Sequence, residues 1–230
     1  MLAAISGILM AWEWTRLCLG QFGAAGVVLG LMAVAVAVCG VSNPAIALAV
    51  IISAAVIAPL VQRTSGRSMA WMAGGAFYLG LPQLALLWLR GQGAPPLFWL
   101  LLVVWATDIG AYAAGRAIGG PKLWPSVSPK KTWAGLLGGM VAAAAAGAGV
   151  AHYSGASVVL LAGISAALAV VAQAGDLAES SVKRYFGVKD SSGLIPGHGG
   201  VLDRLDGLLA ASPVVAVLYL AMRSGLDQWR

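Results

Sequence analysis

Residues 97–117 read LFWLLLVVWATDIGAYAAGRA. Charge enters this stretch only at Asp108 and Arg116, and the rest is apolar or small. A helix rising 1.5 Å per residue needs about 20 such residues to cross a hydrocarbon layer of about 30 Å. In lipid the backbone must satisfy its own hydrogen bonds, so the stretch reads as a transmembrane helix.

Outward from this segment the same pattern repeats. Of the 230 residues, 60% are hydrophobic and 10% charged, and the mean hydropathy is +0.88. Soluble domains carry about 25% charged residues, so lipid is the solvent for most of the chain. Apolar runs predict eight helices, at about 1–15, 24–40, 43–61, 69–89, 97–117, 134–152, 157–175 and 207–222. The expected fold is an all-α, polytopic membrane bundle forming one transmembrane domain over 1–230, with N-terminal helices in 1–89 and a catalytic half in 97–222. The alanine run at 142–146 suits close helix packing. Cys18 and Cys39 lie in or beside apolar runs, without metal-ligand spacing, and read as small packing residues.

Two polar stretches interrupt the pattern: IGGPKLWPSVSPKKT at 118–132 and ESSVKRYFGVKDSSGLIPGHGGVLDRLD at 179–206. Two predicted spans separate them, so both are expected on one side of the membrane. The loops on that side hold Arg16, Arg63, Arg67, Arg116, Lys122, Lys130, Lys131, Lys183, Arg184, Lys189 and Arg204, against Arg90, Arg223 and Arg230 on the other. The positive-inside rule makes the first side cytoplasmic. The N-terminus is then expected outside, which suggests a longer topology with one more preceding helix. A cleavable signal peptide is not expected, because a basic leading region is missing. The net charge of +6 suits topology, anionic headgroups or a polyphosphate substrate, while nucleic acid is excluded as a partner for want of a soluble basic domain.

The polar residues form constellations. Asp108, Tyr112, Gly115 and Arg116 recur at helical spacing and predict a polar cavity on one helix face. An acid there costs roughly 2.5–3.5 kcal/mol on insertion scales and so asks for a function or a partner. Lys130 and Lys131, between a proline and a new helix, suit either phosphate binding or a juxtamembrane anchor. Asp176, Glu179 and Lys183 share a face if the seventh helix runs beyond the membrane, and Asp176 suits Mg2+, a hard cation that takes oxygen ligands. The 179–206 stretch adds Arg184, Lys189, a turn-rich run with His198 between glycines, and Asp203 and Asp206 flanking Arg204. Acids for a divalent metal, cations for phosphates and a flexible glycine loop fit nucleotidyl or phosphoryl transfer, which needs positioning and charge neutralisation more than a protein nucleophile. No Gly-x-x-x-x-Gly-Lys-Ser/Thr loop is present, which excludes a P-loop ATPase.

Ser181-Val-Lys183-Arg184, Lys189-Asp190 and Pro196-Gly-His198-Gly199-Gly200-Val-Leu-Asp203-Arg204-Leu-Asp206 resemble the signature of the phosphatidate cytidylyltransferases. Asp108 with Tyr112, Gly115-Arg116, Ser128-Pro-Lys-Lys-Thr132, Gly175-Asp176-Leu-Ala-Glu179-Ser180 and Trp12-Glu13-Trp14 match as well. Ala134 stands where family members often carry Glu, so no role rests on that position. The resemblance implies attack of phosphatidate on the α-phosphorus of CTP, giving CDP-diacylglycerol and pyrophosphate with Mg2+; a second metal or a monovalent cation beside it is left open by the sequence. The expected catalytic set is Lys183, Arg184, Lys189, Asp190, His198 and Arg204. Lys130, Lys131, Tyr112, Arg116, Gly199 and Gly200 are expected to bind substrate, and Asp176, Asp203, Asp206 and Asp108 the metal. The bilayer of a bacterial-type inner membrane is the expected surrounding and a homodimer the expected assembly. The alternatives are another membrane CTP-dependent lipid transferase or kinase, or an ion-coupled transporter using Asp108.

Overall fold

A computed structural model describes residues 1–63 and 66–223; Arg230, assigned above to the less basic side, lies outside the described residues. Among the described residues eight helices follow one another: α1 (Leu2–Leu19), α2 (Ala24–Cys39), α3 (Pro44–Val61), α4 (Arg67–Gly91), α5 (Ala94–Ala117), α6 (Trp133–Ser154), α7 (Val158–Tyr185) and α8 (Leu202–Arg223). Seven are long and apolar enough to cross a membrane. The 16 residues of α2 reach about 24 Å, short of a hydrocarbon core of about 30 Å.

The burial pattern is that of a lipid-solvated bundle. Leu31, Val38, Phe98, Trp105, Ile109, Val141 and Val159 face outward, while Glu13, Gln83, Thr107, Ser165, Gln173 and Lys183 are buried. In water, such outward apolar faces would drive aggregation; in lipid they cost nothing, and the polar groups turn inward to find partners.

The chain divides into two compact units, Met1–Gly93 with Val182–Leu205, and Ala94–Ser181 with Asp206–Arg230. In the first, Trp14 from α1 donates its indole N–H to the Trp71 carbonyl at 3.0 Å and packs on Tyr78, while Trp71 continues the cluster to Tyr185 and Phe186. The expected catalytic half began at residue 97, yet residues 182–205 pack with the N-terminal helices.

The second unit is built on close helix approach. A side chain at Gly110 would meet the Gly138 carbonyl at 2.7 Å, one at Gly139 the Thr107 carbonyl at 3.1 Å, and one at Gly115 the Thr132 hydroxyl at 3.1 Å. These small residues bring the α5 and α6 backbones together, the device by which lipid-solvated helices gain dispersion contact. Gly175 of α7 does the same with α8: its missing side chain would strike Ala210 and come within 3.0 Å of the Asp206 carbonyl.

Three differences from the sequence reading bear on the polar residues. Residues 118–132 hold a hairpin rather than an open loop, with β1 (Lys122–Trp124) antiparallel to β2 (Ser128–Thr132). Thr132 then caps α6, its hydroxyl accepting the Gly135 N–H at 3.0 Å. Helix α7 continues ten residues past the predicted 175, so Asp176, Glu179 and Lys183 are helical. Helix α8 starts at Leu202 rather than 207, placing Asp203 and Asp206 in its first two turns. Apolar length measures only the lipid crossing; the backbone stays helical beyond it wherever its end groups find partners.

Candidate active site

In the second unit a cavity of about 630 Å3 opens between α5, the hairpin, the start of α6 and α7. Asp108, Tyr112, Gly115 and Arg116 reach it from one face of α5, as their spacing required. Lys130 and Lys131 come from β2 and Asp176 from α7. Arg116 donates to the Tyr112 hydroxyl at 3.2 Å. Lys131 pairs with Asp176 at 2.6 Å and also donates to the Gln173 carbonyl at 3.3 Å. Three cations and two carboxylates thus share one recess, which suits a ligand carrying several negative charges.

The α7–α8 approach at Gly175 sets Asp206 within electrostatic reach of Asp176, Glu179 and Lys131. One Asp206 oxygen accepts the Gly207 N–H at 2.7 Å, and Ser180 donates to Asp176 at 3.3 Å. Among the described residues no three His, Cys, Asp or Glu side chains form a complete metal cage. Mg2+ ordinarily takes one or two carboxylates and completes its shell with water and substrate phosphate. Asp176 and Asp206 carry oxygen donors, the chemistry such an ion takes, and the Asp176 charge acts on Asp206.

The glycine loop belongs to the first unit. Asp203 is its internal anchor, with a side chain only 5% exposed. One carboxylate oxygen meets Lys183 Nζ at 2.5 Å. The other accepts the Ser191 N–H at 2.9 Å, the Ser191 hydroxyl at 2.9 Å and the Gly200 N–H at 2.7 Å. Gly199, at φ +79°, takes a left-handed conformation, and a side chain there would come within 2.7 Å of the Asp203 carboxylate. Ile195 and Gly199 pair across the loop. His198 is thereby held at an exposed tip, its Nδ1 3.2 Å from the Pro196 carbonyl. Arg184 donates to the Val188 carbonyl at 3.2 Å, and Lys189, Asp190 and Arg204 are exposed.

Of the acids expected to hold metal, Asp108 and Asp176 line the cavity and Asp206 lies near Asp176, while Asp203 is saturated by loop donors and Lys183. Sequence reasoning gave no role to Gln173. It is 6% exposed, lines the cavity, and its Nε2 has no hydrogen-bond partner. Nor did it give one to Glu13, fully buried and bonded to the loop. A buried acid in an apolar helix was the signal for Glu13; a glutamine three residues before Asp176 carries no comparable mark.

A helical membrane bundle with cations and carboxylates sharing one recess has the makings of a phosphate-handling membrane transferase. The chain belongs to the cytidylyltransferase family, whose profile matches residues 1–222. It is similar to the phosphatidate cytidylyltransferase of Brucella suis biovar 1 (strain 1330), at 44% identity over 224 residues, covering 93% of this chain and 80% of that protein. The protein of the same name from Staphylococcus aureus (strain COL) is 35% identical over 161 residues, covering 69% of this chain and 62% of its own length.

Proposed function

We propose that this protein transfers the cytidylyl group of CTP to phosphatidate, forming CDP-diacylglycerol and pyrophosphate. The observation that carries this reading is the cavity in which Arg116, Lys130 and Lys131 stand beside Asp108 and Asp176, in a chain of the cytidylyltransferase family. A phosphate oxygen of phosphatidate forms a bond to the α-phosphorus of CTP. The bond from that phosphorus to the bridging oxygen breaks, and pyrophosphate leaves with the electron pair. The nucleophile is already anionic, so no side chain need deprotonate it. Arg116, Lys130 and Lys131 neutralise the phosphates and hold them in line. The Lys131–Asp176 pair fixes where that lysine points. Asp176 and Asp206, with Asp108 on the cavity wall, would hold Mg2+, which when bound draws charge from the phosphate oxygens. The glycine loop carries His198 at its exposed tip, after Lys189 and after Arg184 in the last turn of α7.

Purified protein given CTP, phosphatidate and Mg2+ is expected to yield CDP-diacylglycerol and pyrophosphate in equal amounts. Release of CDP with a phosphorylated lipid alcohol would point to a kinase instead, and absence of both products would remove the reading.

The chain is an integral membrane protein, and the charge distribution supports the cytoplasmic face of a bacterial inner membrane for both polar stretches. Ser126→Cys and Leu194→Cys, introduced singly after replacement of Cys18 and Cys39, are expected to react with an impermeant thiol reagent only from the cytoplasmic side. Both positions are exposed and neither anchors the loop. Opposite sidedness would contradict the assignment.

A further inference from the structure

Glu13 lies in the middle of α1, with no surface exposed. One of its oxygens accepts the Ser192 hydroxyl at 2.6 Å and the Val201 N–H at 2.8 Å. The other accepts the Leu202 N–H at 2.7 Å. The N–H groups of Val201 and Leu202 stand at the start of α8, where no intrahelical carbonyl can reach them. Glu13 caps that helix from a residue 189 positions away in the chain, and its negative charge complements the positive end of the helix dipole. The same carboxylate joins Ser192 to Val201, so it closes the base of the intervening loop. Asp203 closes the base again, shifted one residue toward the N-terminus at each end, by joining Ser191 to Gly200. A side chain at Gly200 would collide with both Glu13 and the Ser191 hydroxyl. Between these two closures, residues 193–199 project with His198 exposed at the tip.

A helix needs no buried glutamate to cross a membrane. Its desolvation is offset only because three donors converge on it, and all three belong to the loop and the helix that follows. We infer that Glu13 is a positioning residue for the nucleotidyl transfer: it sets the geometry of the 193–199 loop through the cap on α8 and touches no substrate itself. This rests on the reaction proposed above.

Glu13→Gln keeps the shape and one acceptor oxygen but turns a donor toward an N–H or hydroxyl that needs an acceptor. Expected is a fall in kcat of at least about tenfold, with KM for CTP changing by less than about threefold, measured per folded molecule. Ser192→Ala, which removes one of the three bonds to Glu13 together with the Leu194 N–H bond to the same hydroxyl at 3.1 Å and buries no unpaired charge, is expected to show the same split at about three- to tenfold. Amide exchange of the 191–202 segment should quicken in both variants, a readout independent of turnover. Wild-type kcat in both, with only the melting temperature lowered, would reduce Glu13 to a stabilising contact and overturn the inference. If wild-type protein makes no CDP-diacylglycerol, the reaction falls while amide exchange still tests the clamp; unchanged exchange in both variants would refute the clamp itself.

Discussion

Asp203→Asn should lose both stability and turnover. The Asp203 and Lys183 side chains are 5% and 8% exposed, so removing the Asp203 charge takes from the Lys183 ammonium its carboxylate contact at 2.5 Å in a place water barely reaches. Breaking a buried pair in this way costs about 3–5 kcal/mol, a large part of a typical folding free energy of about 5–15 kcal/mol. Asparagine also offers one acceptor where the Ser191 N–H, Ser191 hydroxyl and Gly200 N–H now share an oxygen. Thermal unfolding in detergent should show a clear drop in melting temperature, and CDP-diacylglycerol formation per folded molecule should fall at least tenfold as the loop loosens. Replacing Lys183 and Asp203 together with Met and Leu should recover only part of the stability, since an apolar pair can match a buried ion pair but leaves the Ser191 and Gly200 donors without their acceptor, and activity stays low. A single variant melting at the wild-type temperature would show that the pair carries no structural weight.

Asp176→Asn should give the opposite profile. Its side chain is 35% exposed and its partner Lys131 20% exposed, so water can solvate either charge once the pair is lost. The stability cost should stay within about 1 kcal/mol, as for accessible ion pairs. Turnover should fall roughly 100- to 1000-fold, the range seen when one preorganised charge-stabilising group is removed from a transferring centre. Raising Mg2+ should recover part of that loss if the carboxylate holds the ion, and the variant should still insert and purify normally. Turnover close to wild type would sink the metal role of Asp176. The contrast between two aspartates that look alike in sequence lies in their surroundings, one lining an open cavity and the other enclosed by loop donors.

The lipid-spanning helices were legible because a single local property decides them. Every residue of a stretch such as 97–117 must be tolerated by hydrocarbon, and apolar length alone records that. The α5 face carrying Asp108, Tyr112 and Arg116 was legible for a similar reason, since helical spacing is enough to align side chains. The family resemblance added the reaction, which no periodicity contains. The ends of α7 and α8, the hairpin at 122–132 and the separate fates of Asp176 and Asp203 required tertiary structure. Helix ends are decided by which groups satisfy the unpaired backbone N–H and carbonyls, and at the start of α8 those groups come from a distant chain position, Glu13. Glu13 is the clearest case. Its sequence neighbours mark it as an acid in an apolar helix and part of a family match at Trp12-Glu13-Trp14, without a role, and its role as the cap of α8 exists because folding brings it against Ser192, Val201 and Leu202.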